Sequence, residues 1–299
     1  MKLWSKNLLI NKNNGLFVAI ATNSNNVAYS KDGVNWNISI LPSSLEWQQI
    51  VYGKGKFVAI ASRSDVVAYS ENGIDWFTST LPTSNQRSCL AYGNGNFITL
   101  DWASKSGAYS EDGVNWVSIT LPQSVQWSSI TYGNGKFVAV SYGWAGVGIS
   151  EDGINWTVET NLPSSSYWSC VKYCNEQFIA VAQNLHTIAC SNDGITWTKS
   201  NLGNTSTWNG IAYGNDTYVI IPNLSKQIAY SKNNIDWTIA DNLPTAQYWQ
   251  DVIFANKKFI AISGSSNNSS VGAISEDGVN WTATTMPVSA KWIDIAYGG

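Results

Sequence analysis

Few residues in this sequence could do chemistry. The one histidine, His186, stands in Asn184-Leu185-His186-Thr187, and a Ser-His-Asp nucleophile would have to converge on it. Its place just before an apolar run reads instead as a loop histidine. Acids outside a repeated turn include Glu46, Asp65, Asp101, Glu159, Asp251 and Asp294. Glycoside hydrolysis needs two carboxylates facing each other across a pocket, and no such pair is recognisable in their spacing. The four cysteines, Cys89, Cys170, Cys174 and Cys190, lack paired metal spacing. Cys170 and Cys174 lie four apart in one strand, too far to bridge, so all four read as core thiols. No Gly-rich phosphate loop leads into a helix. The expectation is a protein with no catalytic residue, no metal site and no cofactor.

The sequence is richer in rings than in charges: 16 Trp, with only 12 % charged residues. Six tryptophans recur at one position, Trp47, Trp127, Trp168, Trp208, Trp249 and Trp292, and Arg87 stands in the same row. Indoles around a channel mouth could stack on sugar faces while Asn and Ser supply hydrogen bonds. The other role open to a repeated indole is packing between neighbouring units. A second group, Arg87, Asp101, Trp102 and Lys105 facing Tyr142 and Trp144, is expected at one junction between units. Aromatics beside one Arg and one Asp would suit a saccharide or an acidic group.

These residues are placed by an internal repeat of about 40 residues. Its marker is Ser-x-Asp-Gly-x-x-Trp, at Ser30 to Trp36, Ser70 to Trp76, Ser110 to Trp116, Ser150 to Trp156, Ser191 to Trp197, Ser231 to Trp237 and Ser275 to Trp281. Each unit reads as four short strands, A to D. Strand A is Trp-x-x-Ile-x-Tyr-Gly, as at Trp47 to Gly53. A Gly-Asn-Gly or Gly-Lys-Gly hairpin follows. Strand B is Lys-Phe-Val-Ala-Val (Lys136 to Val140), C is Val-Ala-Tyr-Ser (Val67 to Ser70), and the marker turn leads into D, Asn280 to Thr282. This predicts an all-β, seven-bladed propeller of four-stranded antiparallel blades, one domain over 1–299. The chain ends in a well-formed strand A, so strand 292–298 is expected to close the ring. Trp4 to Asn11 is the competitor, but its register is off.

Within the marker, the Asp can accept N–H groups of its own turn, the Gly takes a left-handed φ, and the Trp buries a ring. Asn72 and Asn233-Asn234 replace these residues in two copies. A metal site would lose its charge there. The motif resembles the Asp-box, or bacterial neuraminidase repeat, of the sialidase superfamily, in a form shortened by one residue. That resemblance spans the chain and implies a β-propeller with the box between the third and fourth strands. It spans glycosidases, carbohydrate-binding modules and surface recognition proteins, so it does not choose among functions. Sialidases clamp a carboxylate with three arginines, and this chain has two, Arg63 and Arg87.

In a propeller the A–B and C–D turns share one rim, and the B–C and D–A loops share the other. The first rim is near-uniform in sequence, whereas the B–C loops differ in every unit, and variable loops on a rigid scaffold carry recognition. With a net charge of −3 there is no footprint for nucleic acid. Apolar runs of five residues exclude a membrane-spanning helix, and the first residues lack a secretory signal's hydrophobic segment. The sequence therefore points to a non-catalytic recognition module binding a glycan or surface polysaccharide through the variable rim. A propeller docking a protein partner on a virion or cell surface, and a glycoside-active enzyme, are the alternatives.

Overall fold

A computed structural model describes residues 15–164, 167–183, 187–203, 207–264 and 267–299. His186 and the Trp4–Asn11 segment lie outside the described residues. The chain is all-β, and its strands form antiparallel four-stranded meanders of the propeller type. Each is named here by the first residue of its inner strand. The Trp47 blade runs Trp47–Gly53, Lys56–Ala61, Val66–Ser70 and Phe77–Thr80 in spatial order. In the Trp292 blade the inner strand is the C-terminal Trp292–Gly298, paired with Leu16–Ala21 in the register Phe17↔Tyr297 and Ala19↔Ile295. The first described strand and the C-terminal strand are thus held by one set of ladder bonds.

Strand B forms the buried midline of each blade. Leu16–Ala21 and Lys56–Ala61 are apolar and buried almost throughout, because both faces of a blade are covered by its neighbours and alternation is lost. Strand D is short and largely exposed, as in Phe77–Thr80. It begins later than the sequence suggests, at Thr282 rather than Asn280, because the marker turn retains its Trp. The B–C connections at Asp101–Ser106 and Pro222–Gln227 are also less loop-like than expected. Strands Asn96–Ser110 and Thr217–Ser225 run into them.

The Tyr-Gly ending of strand A has a packing cause beyond its turn. A Cβ on Gly133 would sit 2.0 Å from the ring of Tyr173, and one on Gly53 2.2 Å from that of Tyr92. Each such Tyr lies on the glycine of the preceding blade, so the pair couples consecutive repeats. The turn residues add latches on this rim. Asn94 Nδ2 donates to Glu151 O at 3.2 Å, and Asn134 Nδ2 donates to Asn192 O at 3.1 Å.

Candidate functional site

The marker turn is scaffold. In the first copy the backbone N–H groups of Val34 and Asn35 both donate to Asp32 Oδ1 at 2.8 Å, and Ser30 Oγ donates to it at 3.0 Å. Asn72 Oδ1 accepts the same two N–H groups, of Ile74 and Asp75, at 2.9 and 2.8 Å. A neutral amide does the same work, which is why the charge is dispensable there. Where the acid is present the N–H groups lower its pKa: those of Thr196 and Ile195 hold Asp193 down to about 2. Among the described residues no cluster of three or more His, Cys, Asp or Glu could hold a metal.

The row of inner-strand indoles is not a ligand platform. Trp47, Trp127, Trp168, Trp208, Trp249 and Trp292 are each 0 % exposed. Truncating an indole so fully removed from water costs roughly 3–5 kcal/mol, and these rings fill the cores of the blades. Arg87 occupies the same slot and is 1 % exposed. Its guanidinium imitates the indole N–H: Nη2 donates to Thr83 O, four residues back, at 2.8 Å, as Trp47 Nε1 donates to Ser43 O at 3.1 Å. The extra charge is met by Asp101, fully buried directly across the ladder and hydrogen-bonded to Arg87 Nη1. Asn85 Nδ2 donates to the other carboxylate oxygen at 2.7 Å. Burial pushes Asp101 up and Arg87 down, and their contact opposes both shifts. The two therefore satisfy each other inside the blade, and the expectation that they face a ligand is corrected.

Trp144 is likewise turned inward, edge-to-face on Trp127 with ring centroids 6.2 Å apart. Trp102 and Tyr142 do meet across the blade junction, at 5.9 Å. Tyr167 joins them: its ring stacks on Tyr142 at 4.2 Å with an interplanar angle of 2°, and it is 43 % exposed. The row continues as amides. Tyr142 Oη donates to Gln183 Oε1 at 3.3 Å, Gln183 Nε2 to Asn209 Oδ1 at 3.0 Å, and Asn209 Nδ2 to Trp249 O at 2.8 Å. The sequence comparison missed Tyr167, Gln183 and Asn209. Tyr167 stands immediately before the recurrent Trp and Asn209 immediately after one, so the varying neighbours of the repeated residue were the available signal.

A cleft of about 670 Å³ lies on the opposite rim between Asn134, Asn175, Glu176, Gln177, Asn192 and Tyr218. Its amides are committed to internal bonds: Asn175 Nδ2 donates to Tyr218 Oη of the next blade at 2.9 Å, and Gln177 Nε2 donates to Asn192 Oδ1 within its own blade at 2.9 Å.

Two acids that showed no pairing in sequence are brought together. Asp251 and Asp294 each stand two residues after the recurrent Trp, Trp249 and Trp292, of consecutive inner strands, and their carboxyls interact. Both are nearly buried. Burial and the neighbouring Asp251 push the Asp294 carboxyl well above its ordinary range. Lys172, at the fifth position of the Trp168 strand, has its pKa raised chiefly by attraction to Asp251.

No family model matches the chain, and no curated protein matches it. Solved structures share its scaffold. A streptogramin B lyase superposes with a TM-score of 0.73 at 13 % identity, covering 84 % of this chain and 86 % of the lyase. YCF48 bound to D1 peptide gives 0.64 at 14 % identity over 81 % and 82 % of the two chains. Apo AztD from Citrobacter koseri gives 0.63 at 10 % identity over 95 % and 98 %. At these identities the likeness defines the fold class, a β-propeller. It corrects the reading of the chain as a module without catalysis: propellers that superpose on it include lyases, so the scaffold does not exclude an enzyme.

Proposed function

We propose that the chain forms a seven-bladed ring, closed by strand 292–298, that binds carbohydrate through the rim carrying the variable loops. The observation that supports this is the parallel-stacked Tyr142–Tyr167 pair, 4.2 Å apart with Tyr167 exposed, continued by Trp102 on one side and by the Gln183 and Asn209 amides on the other. Aromatic faces take the apolar face of a pyranose, and amides at their edge take its hydroxyls. The seven marker turns support kinship with the Asp-box propellers, as does the Asp acceptor geometry within them.

The test is a glycan array probed with the labelled protein, alongside Tyr167→Ala and Trp102→Ala. One exposed aromatic platform contributes about 1–2 kcal/mol, so each variant should weaken a reproducible hit by roughly 5- to 30-fold. An empty array from folded protein would overturn the carbohydrate reading in favour of a protein-docking rim.

A further inference from the structure

The rim that carries the variable loops is built on a repeated backbone bond. The residue just past strand B donates its N–H to the carbonyl of the residue just before the recurrent Trp of the same blade: Thr22 to Lys291 at 2.9 Å, Ser62 to Glu46 at 2.8 Å, and Gln183 to Tyr167 at 2.9 Å. The frame is constant and the side chains mounted on it differ. In the Trp168 blade it carries Tyr167 and Gln183 of the aromatic sector. In the Trp292 blade it carries Lys291 and Thr22.

Beside that pair is a cleft of about 180 Å³, where the Trp292 and Trp249 blades meet. It is lined by Asn23, Asn26 and Asn268, by Ser24 and Ser289, and by Lys291, with Thr22 among them. Among its lining residues there is no carboxylate and no aromatic ring. Its size is below the roughly 300–1,000 Å³ of pockets that enclose drug-sized ligands, so it suits one small group rather than a whole oligosaccharide. Two of its residues lack partners. Thr22 is 8 % exposed, and its Oγ1 is buried without a hydrogen-bond partner. Lys291 is half-buried, and it is absent from the ion pairs within 4 Å among the described residues, which are Lys56–Glu71 and Arg87–Asp101. Ser24 Oγ accepts the N–H of Asn26 at 3.0 Å, which leaves its own hydrogen to donate.

Amides and hydroxyls can donate or accept, so the sign of a ligand here is set by Lys291. A cation would meet a like charge with no acid to offset it. A neutral pyranose would find no ring to lie on. A planar carboxylate is matched best by the rigid fork of an arginine, whereas a lysine ammonium is a compact point charge that serves an oxyanion without regard to plane. Hydroxyls and amides from three separate connections surround that charge and can reach oxygens that point in different directions. We propose that this cleft binds a tetrahedral oxyanion carried on a sugar, a sulfate or phosphate ester, with Lys291 as its counter-ion. The proposal rests on the carbohydrate reading of this rim and adds the charge of the ligand.

The experiment is a titration of the isotopically labelled full chain with glucose 6-sulfate, glucose 6-phosphate, glucose and sodium sulfate at matched ionic strength. The backbone amide resonances followed are those of Asn23 and Ala290 at the cleft and of Tyr142 and Gln183 in the aromatic sector. A saturable shift at Asn23 and Ala290 is expected with at least one of the two esters, and which ester gives it tells sulfate from phosphate. Glucose should give none there. Lys291→Gln removes the charge and should weaken the ester at least about tenfold, the loss of one charged hydrogen bond. Asn23→Gly, which keeps the positive φ of 52° and removes an amide, should weaken it as well, and Tyr167→Ala should not. The proposal is overturned if neither ester gives a saturable shift, or if the shift survives Lys291→Gln at full affinity. It is equally overturned if sodium sulfate binds as tightly as the esters, which would make the occupant an adventitious ion only. Silent cleft amides while Tyr142 and Gln183 respond to a glycan found on the array would overturn this proposal alone. An empty array together with silent cleft amides would overturn the carbohydrate reading with it.

Discussion

Arg87 and Asp101 show how much a single position in a repeat can depart from its pattern while keeping its geometry. Both are wholly buried, and each makes the other tolerable. Breaking such a pair by removing one partner leaves an uncompensated buried charge and costs roughly 3–5 kcal/mol. Arg87→Met alone should therefore lower the denaturation midpoint sharply. In some of the other blades the same slot holds Trp opposite Ala, as in Trp47↔Ala61 and Trp168↔Ala182. The double variant Arg87→Trp/Asp101→Ala restores that pairing and should recover wild-type stability or exceed it by about 1–4 kcal/mol. Urea unfolding of the single and double variants checks both outcomes. A double variant no more stable than Arg87→Met would show that the Arg87 blade is built around the pair.

The marker turn is an element whose chemistry repeats with one informative variation. Asp193, Asp152 and Asp277 are held near pKa 2, below the ordinary 3.8: Asp193 first by the N–H of Thr196, the other two by turn N–H groups that outweigh desolvation. A lowered folded-state pKa means stability that is complete above about pH 4 and is lost as pH falls toward 2. These carboxylates are mostly exposed, so the effect on global stability is small and screened, but it is local and can be read at each turn. Amide exchange at Ile195 and Thr196, corrected for intrinsic rate, should accelerate between pH 4 and 2. Exchange at Ile235 and Asp236, which donate to the neutral Asn233 at 3.0 and 2.9 Å, should change much less. Equal acceleration at both turns would mean that the carboxylate is not what orders them.

At the scale of the whole molecule, the proposed ring closure rests on the pairing of the C-terminal strand with the first described one. Phe17 to Ala21 lie on Trp292 to Tyr297, and Trp292, Phe17 and Ala19 are each 0 % exposed. Deleting residues 292–299 would remove one fully buried indole, the Asp294 latch to Ile50 and the ladder on Leu16–Ala21 together. The expected outcome is a chain that loses cooperative thermal unfolding or exposes apolar surface to dye binding. A truncated chain that melts as one sharp transition near the wild-type temperature would show that the ring does not need that strand.

The sequence by itself determined the four-strand unit and the chemistry of the marker turn, because both rest on interactions a few residues apart. Asp32 bonds Val34 and Asn35, and Trp156 Nε1 bonds Gly153 O at 2.9 Å. Pairing of the final strand with the first was legible too, since an unpaired inner strand with the right spacing has one partner missing. Whether an indole at a repeated position faces solvent or core was not legible. That depends on how far the next blade covers it, and all six recurrent tryptophans and Arg87 proved to be interior. The candidate site was half visible: Trp102 and Tyr142 were found, while Tyr167, Gln183 and Asn209 sit beside conserved-pattern residues and acquire meaning only when blades about 25 to 65 residues apart in sequence are brought side by side. Asp251 and Asp294 are the sharpest case. They lie 43 positions apart in the sequence, each unremarkable in its own repeat, and only the neighbouring of consecutive inner strands brings the two carboxyls into interaction.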